Sequence, residues 1–391
     1  MRYDLILKQG LVIDPKNNRH GVMDVAVYGG RIAAVQNHVE GDAVEVLDMK
    51  GRIVTPGLID AHVHICELGG HADMLFMPSG VTTVCDAGST GAANFSGLRE
   101  LLARSIRTRA RAFLNFSFIG LTGVEVAGEL FDRRYADAEA CVRTIAANRD
   151  LLVGVKLRLS PGTTWDPLEA LHLASQTATE AGVPLMVHVT NCPVPLPQVV
   201  EHLRSGDILS HLFHGFTNGI MNPERTALLE PIWEAQKRGV LFDSAHGRMG
   251  HFNFDIARKS LELGFMPNII TTDLTIHNAT RGPVFDLVTT MSKFLNLGMS
   301  LQDIILRTTA RPAELLGLGQ DLGHLGVGAI ADIAILELLQ GTFEFIDTDK
   351  NVLQGKQRIV AVSTLREGRI CYQSGEAAVG STSTKPRAVF Y

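Results

Sequence analysis

The sequence predicts an α/β protein, a (β/α)8 TIM barrel carrying a small β-sandwich domain formed from both chain ends. Two observations predict the barrel. Eight apolar runs alternate with helical stretches across residues 55–324. Histidine, lysine or aspartate stands at the ends of five of those runs, which a closed ring of strands gathers at one rim and an open doubly wound sheet does not. A third observation predicts the composite domain: strand-and-turn texture flanks this region on both sides.

Within residues 1–54, the runs 5–7, 11–13, 25–28, 31–35 and 44–47 are strand candidates, punctuated by Gly10, Asp14-Pro15, Gly29-Gly30 and Gly41-Asp42. They suggest a small antiparallel sheet. The barrel runs start with Leu58-Ile59-Asp60-Ala61-His62-Val63-His64 and continue at 81–85, 112–118, 153–159, 184–189, 207–212, 239–244 and 268–273. Between them, Asp166-Pro167-Leu168-Glu169 supplies an N-cap acid, a proline at the first helical position and a glutamate at the third, and Gly182 ends that helix. Ser300 opens another helix. Strand texture returns at 326–336, 360–365 and 369–372. The expected division is therefore 1–54 and 325–391 for the composite β-domain and 55–324 for the barrel. From Gly375 the chain reads as a polar tail.

Composition narrows the function. A chain of 391 residues, 46% hydrophobic and 20% charged, can bury a large core. Its net charge of −5 gives no basic footprint, so nucleic acid is not an expected partner. The cysteines at 66, 85, 141, 192 and 371 form no C-x-x-C pair, which suits a reducing cytoplasm. No signal peptide precedes Tyr3-Asp4-Leu5-Ile6-Leu7, and no apolar stretch is long enough for a bilayer, so a membrane is not expected either.

Chemistry concentrates at the strand ends. His62 and His64 are two residues apart on one strand and point to the same side, so both can reach one metal ion. Lys156, His188, His211 and Asp273 end four later runs. Four imidazoles and a carboxylate suit Zn²⁺ or another divalent ion. A lysine ammonium is out of place among cations. It could snorkel to the barrel mouth, lose its proton, or react with CO₂ to form an anionic carbamate able to bridge two metals. The five neighbouring ligand types favour the carbamate. Asp273, in Thr271-Thr272-Asp273, can bind metal and also take a proton from an activated water and pass it to the leaving group. The alternative for Asp273 is a helix N-cap.

These motifs resemble the amidohydrolase superfamily: Gly57-Leu58-Ile59-Asp60-Ala61-His62-Val63-His64, the strand-four lysine, two single histidines and the final Thr-Thr-Asp. Cys85-Asp86-Ala87-Gly88-Ser89, Gly154-Val155-Lys156-Leu157-Arg158 and the run 281–294 resemble its dihydroorotase-like or deacetylase branch. The resemblance implies an enzyme that hydrolyses an acetyl ester or amide on a small carboxylate, such as an α-acetoxy or N-acetyl acid; a cytoplasmic homo-oligomer is expected. It implies two Zn²⁺ ions per chain, with His62, His64 and Asp273 on the more buried one and His188 and His211 on the other. Carboxylated Lys156 and a hydroxide would bridge them. Arg158, His246, His277 and Arg281 are the candidate substrate contacts. Dihydroorotases of this scaffold carry an arginine where this chain has Cys66, which argues against true dihydroorotase activity; a cyclic amide hydrolase is the alternative on the same fold. A non-catalytic scaffold would have lost ligands, and none is missing. A nucleic-acid deaminase would carry an H-x-E with P-C-x-x-C signature, which is absent.

Overall fold

The computed structural model describes residues 2–65, 71–104 and 106–374. Five strands come first: β1 (Tyr3–Asp14), β2 (Arg19–Tyr28), β3 (Arg31–Gln36), β4 (Ala43–Asp48) and β5 (Ile53–Pro56). Seven more follow: β6 (Leu58–Val63), β7 (Val81–Ala87), β8 (Arg109–Asn115), β9 (Leu152–Arg158), β10 (Leu185–His188), β11 (Ile208–Ser210) and β12 (Leu241–Asp243). The last three are β13 (Ile333–Ile346), β14 (Val352–Arg366) and β15 (Arg369–Gln373).

The middle seven form one parallel sheet in chain order, β6 to β12. The side chains of β6, β7 and β10 are buried on both faces, as expected of near-continuous apolar strands covered by helices. The eighth predicted run closes the ring without becoming a regular strand. Ile269 bridges Asp243 and Leu274 bridges Val63, both in parallel sense. The Asp273 N–H donates to the His62 carbonyl at 2.7 Å, and the His64 N–H to that of Leu274 at 2.9 Å. Asp273 has φ +53°, which breaks the extended path. Buried Asp60 ties the closing segment down, accepting the Thr272 hydroxyl at 2.5 Å and the Thr272 N–H at 3.1 Å.

Helix signals read as expected. Asp166 caps the helix Pro167–Ala181, accepting from the N–H groups of Leu168 and Glu169, and Gly182 closes it at φ +63°. Ser300 caps Leu301–Thr308.

The two chain ends form one eight-stranded sheet, ordered β15-β14-β13-β5-β1-β2-β3, with β4 paired to β1. It differs from the sequence expectation in three ways. The runs 5–7 and 11–13 are one strand with a bulge between Leu7 and Gly10. The sheet is mixed rather than antiparallel, because β4 and β5 pair with β1 in parallel. The strand beginning near 333 continues to Ile346 and pairs along its length with β14. Beyond Leu336 that hairpin is largely solvent-facing, so it lacks the apolar run that marks a strand in sequence. Leu5, Leu7, Val25, Ile333 and Leu365 share one small core in this sheet. Ile13, Ile53, Leu336, Phe345 and Ile359 instead belong to the main core with the barrel helices. Among the described residues no helix is long and apolar enough to cross a membrane. The tail from Gly375 and Cys66 lie outside the described residues.

Candidate metal centre

The strand ends bring five of the six sequence-predicted ligands, His62, His64, Lys156, His211 and Asp273, toward one point, with His188 beside them. His64 Nε2 lies 3.2 Å and His62 Nε2 3.6 Å from Asp273 Oδ1. The His188 and His211 ring centres are 4.0 Å apart, and those of His62 and His211 5.3 Å. Two trios offer ligand atoms within 4.8 Å of one another: His62, His64 and Asp273, and His211, His251 and Asp273. Asp273 belongs to both.

Three imidazoles are held in the same way. His62 Nδ1 pairs with Asp243 Oδ2 at 2.7 Å, and Asp243 in turn accepts the hydroxyls of Ser210 and Thr271. His64 Nδ1 pairs with Ser89 Oγ at 2.9 Å, and that hydroxyl donates to Asp86 at 2.7 Å. His211 Nδ1 pairs with the Ala245 carbonyl at 2.9 Å. Each partner fixes the tautomer that leaves an Nε2 lone pair turned inward, the arrangement of metal-binding imidazoles. His211 Nε2 is buried without a hydrogen-bond partner among the described residues. Burial, then the neighbouring rings and cations, pulls His188 and His211 well below the ordinary imidazole range, so both rings are neutral and could serve as ligands.

Lys156 enters the same space. Its Nζ is 3.1 Å from His62 Nε2 and 3.5 Å from Met186 Sδ, with no carboxylate at ion-pair distance among the described residues. Burial pulls its ammonium down to about 8, against the opposing pull of Asp273 and Asp243. Gly88 makes room for the stem: at φ +85°, a Cβ there would meet Lys156 Cβ at 2.6 Å. An amine without a carboxylate partner among imidazole lone pairs fits a carbamate bridge, and the inward Nε2 atoms with Asp273 fit divalent ions.

Asp273 is not a helix cap. The helix Ile276–Arg281 is capped by Thr275. Burial alone would raise the Asp273 carboxyl, but hydrogen bonding to His251 and His64 and the rings of His211 and His62 hold it well below the usual range. His211 (φ +65°) and Asp273 (φ +53°) both sit in the left-handed region, each at a cost of about 1–3 kcal/mol.

The substrate-contact candidates separate. Arg158 lies 3.5 Å from buried Glu129. His277 and Arg281 are exposed on the helix after the closing segment. His246 is buried, stacked on Phe252 and accepting from Lys293 Nζ at 2.8 Å. The residue missed in sequence is His251, whose Nδ1 is 3.2 Å from Asp273 Oδ2 and whose ring centre is 4.3 Å from that of His211. It stands eight residues beyond β12, so no strand-end rule points to it. The available signal was Gly247 and Gly250, which fold the loop back. A Cβ on Gly247 would lie 2.3 Å from His251 Nδ1 and 2.5 Å from Asp273 Oδ2. A separate cavity of about 420 Å³, lined by Pro184, Asp207 and Leu241, lies at the strand starts, on the rim opposite the histidines.

A parallel α/β barrel with imidazoles and a carboxylate gathered at its strand ends is the architecture of a barrel enzyme that works at its C-terminal rim. The sequence profile of the Amidohydrolase family matches residues 53–362. A deacetylase of Enterococcus faecalis is 33% identical over 95% of this chain and 99% of its own. A deacetylase of Brucella anthropi is 36% identical over 83% and 81%. A crystal structure of an adenine deaminase aligns with TM-score 0.87 at 33% identity, covering 95% of this chain and 100% of its own. One of a dihydroorotase aligns with TM-score 0.85 at 30% identity, covering 94% and 97%. The chain belongs to the amidohydrolase family and is a hydrolase.

Proposed function

We propose that this protein is a metal-dependent deacylase that removes an acyl group, acetyl foremost, from an ester or amide of a small carboxylate. The observation that carries the reading is the convergence of inward Nε2 atoms on Asp273 beside a buried lysine amine that has no carboxylate at ion-pair distance among the described residues. The relatives named deacetylases support the acyl group. His62, His64 and Asp273 would hold one divalent ion, His188 and His211 a second, and carboxylated Lys156 would join them; Zn²⁺ suits this donor set. When bound, such ions supply Lewis acidity, lowering the pKa of a water and polarising the acyl carbonyl. Asp273 accepts the proton of the attacking water as the new C–O bond forms, then returns it to the leaving oxygen or nitrogen as the acyl C–O or C–N bond breaks. His251 Nδ1, 3.2 Å from Asp273 Oδ2, orients the carboxylate for that transfer. Of the rim cations, Arg281 has no ion-pair partner among the described residues, whereas Arg158 is committed to Glu129; Arg281 is the one we assign to the substrate carboxylate, with His277 beside it. The division into a barrel at 55–324 and a composite domain, folded as a sandwich in a homo-oligomer, is part of the same reading.

Metal analysis together with turnover on a panel of N-acetyl and O-acetyl α-substituted acids tests it. Bound divalent metal with acetate release is expected. Lys156→Ala should lose most metal and activity, with partial rescue by short carboxylic acids. Two bound metals with no adduct on Lys156 would remove the carbamate.

The dihydroorotase likeness supports a second reading, cyclic amide hydrolysis. Turnover of dihydroorotate with kcat/KM above about 10⁴ M⁻¹s⁻¹ would put that reading first.

A further inference from the structure

The loop that carries His251 is held from outside the barrel. The tip of the β13–β14 hairpin, residues 347–351, grips the three residues that follow His251. Phe252 N–H donates to Thr348 Oγ1 at 2.8 Å, and the same hydroxyl donates back to the Phe252 carbonyl at 2.6 Å. The Thr348 N–H donates to that carbonyl at 3.1 Å. Asn253 Nδ2 donates to Asp349 Oδ2 at 2.7 Å, and Phe254 N–H to Asp347 Oδ2 at 2.9 Å. Every contact in this set joins segments 93 or 96 residues apart.

The tip is itself pre-shaped. Buried Asp347 accepts the N–H groups of Asp349 and Asn351 and the Asn351 side-chain amide. A second anchor runs in parallel. Lys293 Nζ donates to the carbonyls of Ile346 and Pro283 and to His246 Nε2, and the His246 ring lies flat on Phe252 at 4.5 Å. The loop between, with Met249 and Gly250 at positive φ, has no regular structure of its own to fix the imidazole.

We propose that Thr348 is a positioning residue: through Phe252 it holds the His251 imidazole against Asp273, so that the end domain completes the reaction site. This rests on the reading of Asp273 as the proton carrier. A hydroxyl that accepts the N–H and donates to the carbonyl of one residue fixes the peptide units on both sides of it, and the first of these is shared with His251. Loss of the hydroxyl frees the loop to move by the fraction of an ångström that matters for proton transfer.

The test uses the full chain labelled at histidine Cε1. The His251 signal is assigned by its loss in His251→Asn. Thr348→Val, which keeps the volume and removes the hydroxyl, should shift or broaden the His251 signal while exposed His20 and His172 stay in place. With the best acetyl substrate of the panel, kcat should fall about tenfold with KM within about twofold. Thr348→Ser should restore both. A His251 signal unmoved in Thr348→Val, or Thr348→Ser behaving like Thr348→Val, would overturn the proposal. Should Thr348→Val not fold, Asp349→Ala, at an exposed tip position, must move the same signal, and an unmoved signal there is equally decisive. If wild type turns over no member of the panel, the deacylase reading falls, and the His251 signal still decides the positioning role.

Discussion

Asp273 has both carboxylate oxygens engaged by imidazoles, His64 and His62 on one and His251 on the other, and it holds a backbone conformation that asparagine also tolerates. Asp273→Asn is therefore a clean probe. It keeps size and a coordinating oxygen and removes basicity. Turnover should fall by about 10²–10⁴-fold, while metal content, read by elemental analysis, changes far less. Near-native turnover would reduce Asp273 to a ligand. Gly247 tests the neighbouring contact. Gly247→Ala at φ +54° drives a methyl into His251 and Asp273 and should cost about 1–3 kcal/mol in urea unfolding, with a larger loss of turnover. Gly97→Ala, exposed in the first turn of the helix Phe95–Arg104 with open space around it, is the control and should gain about 0.4–1 kcal/mol. At this scale the sequence announces His62, His64, Lys156, His188, His211 and Asp273, because each ends an apolar run. It does not announce His251, because a loop residue's place depends on how the loop folds back.

At the scale of elements, each strand presents its ligand and the segments after other strands orient it. β6 supplies His62 and leads into His64, but their tautomers are set by Asp243 on β12 and by Ser89 beyond β7. Such outer partners carry about 10–100-fold in metal affinity. Ser89→Ala leaves the fold intact and removes one hydroxyl. Competition against a chelator should show weakening within that range; unchanged affinity would show that Ser89 does not orient His64. Parity made the inward faces of β6, β9 and β10 legible. The extension of β13 to Ile346 was not, because a hairpin exposed to solvent carries no apolar run.

For the whole molecule, the end sheet and the barrel share one core. Ser292 Oγ accepts the Ile359 N–H at 2.9 Å, and Asn296 Nδ2 donates to the Gln357 carbonyl at 2.7 Å, tying the helix Leu287–Asn296 to β14. Phe294, Phe345 and Leu353 are buried in the same cluster. A fragment of residues 55–324 should therefore lack native near-ultraviolet circular dichroism and sharp amide signals; a well-dispersed spectrum would show the barrel to be independent. Metal removal acts on the same global scale. Ions that bind only the folded state at 100 times their Kd add about 2.7 kcal/mol, so chelation should lower Tm reversibly. An unchanged Tm would mean that the strand ends hold no ion.

What the sequence by itself determined is the periodic part: seven of the eight expected barrel strands, the residues at strand ends, the helix caps at Asp166 and Ser300, and the strand texture at both ends of the chain. These are local properties, written within a few residues of where they act. Tertiary structure alone decided the rest. The closing segment 268–274 became a bridge because Asp273 turns at positive φ. His246, the nearer histidine, went to Lys293, while His251 reached Asp273. The grip on His251 came from Thr348, 96 residues from the Phe252 it holds. Contacts over such separations depend on how whole elements pack, and no period in the sequence encodes that.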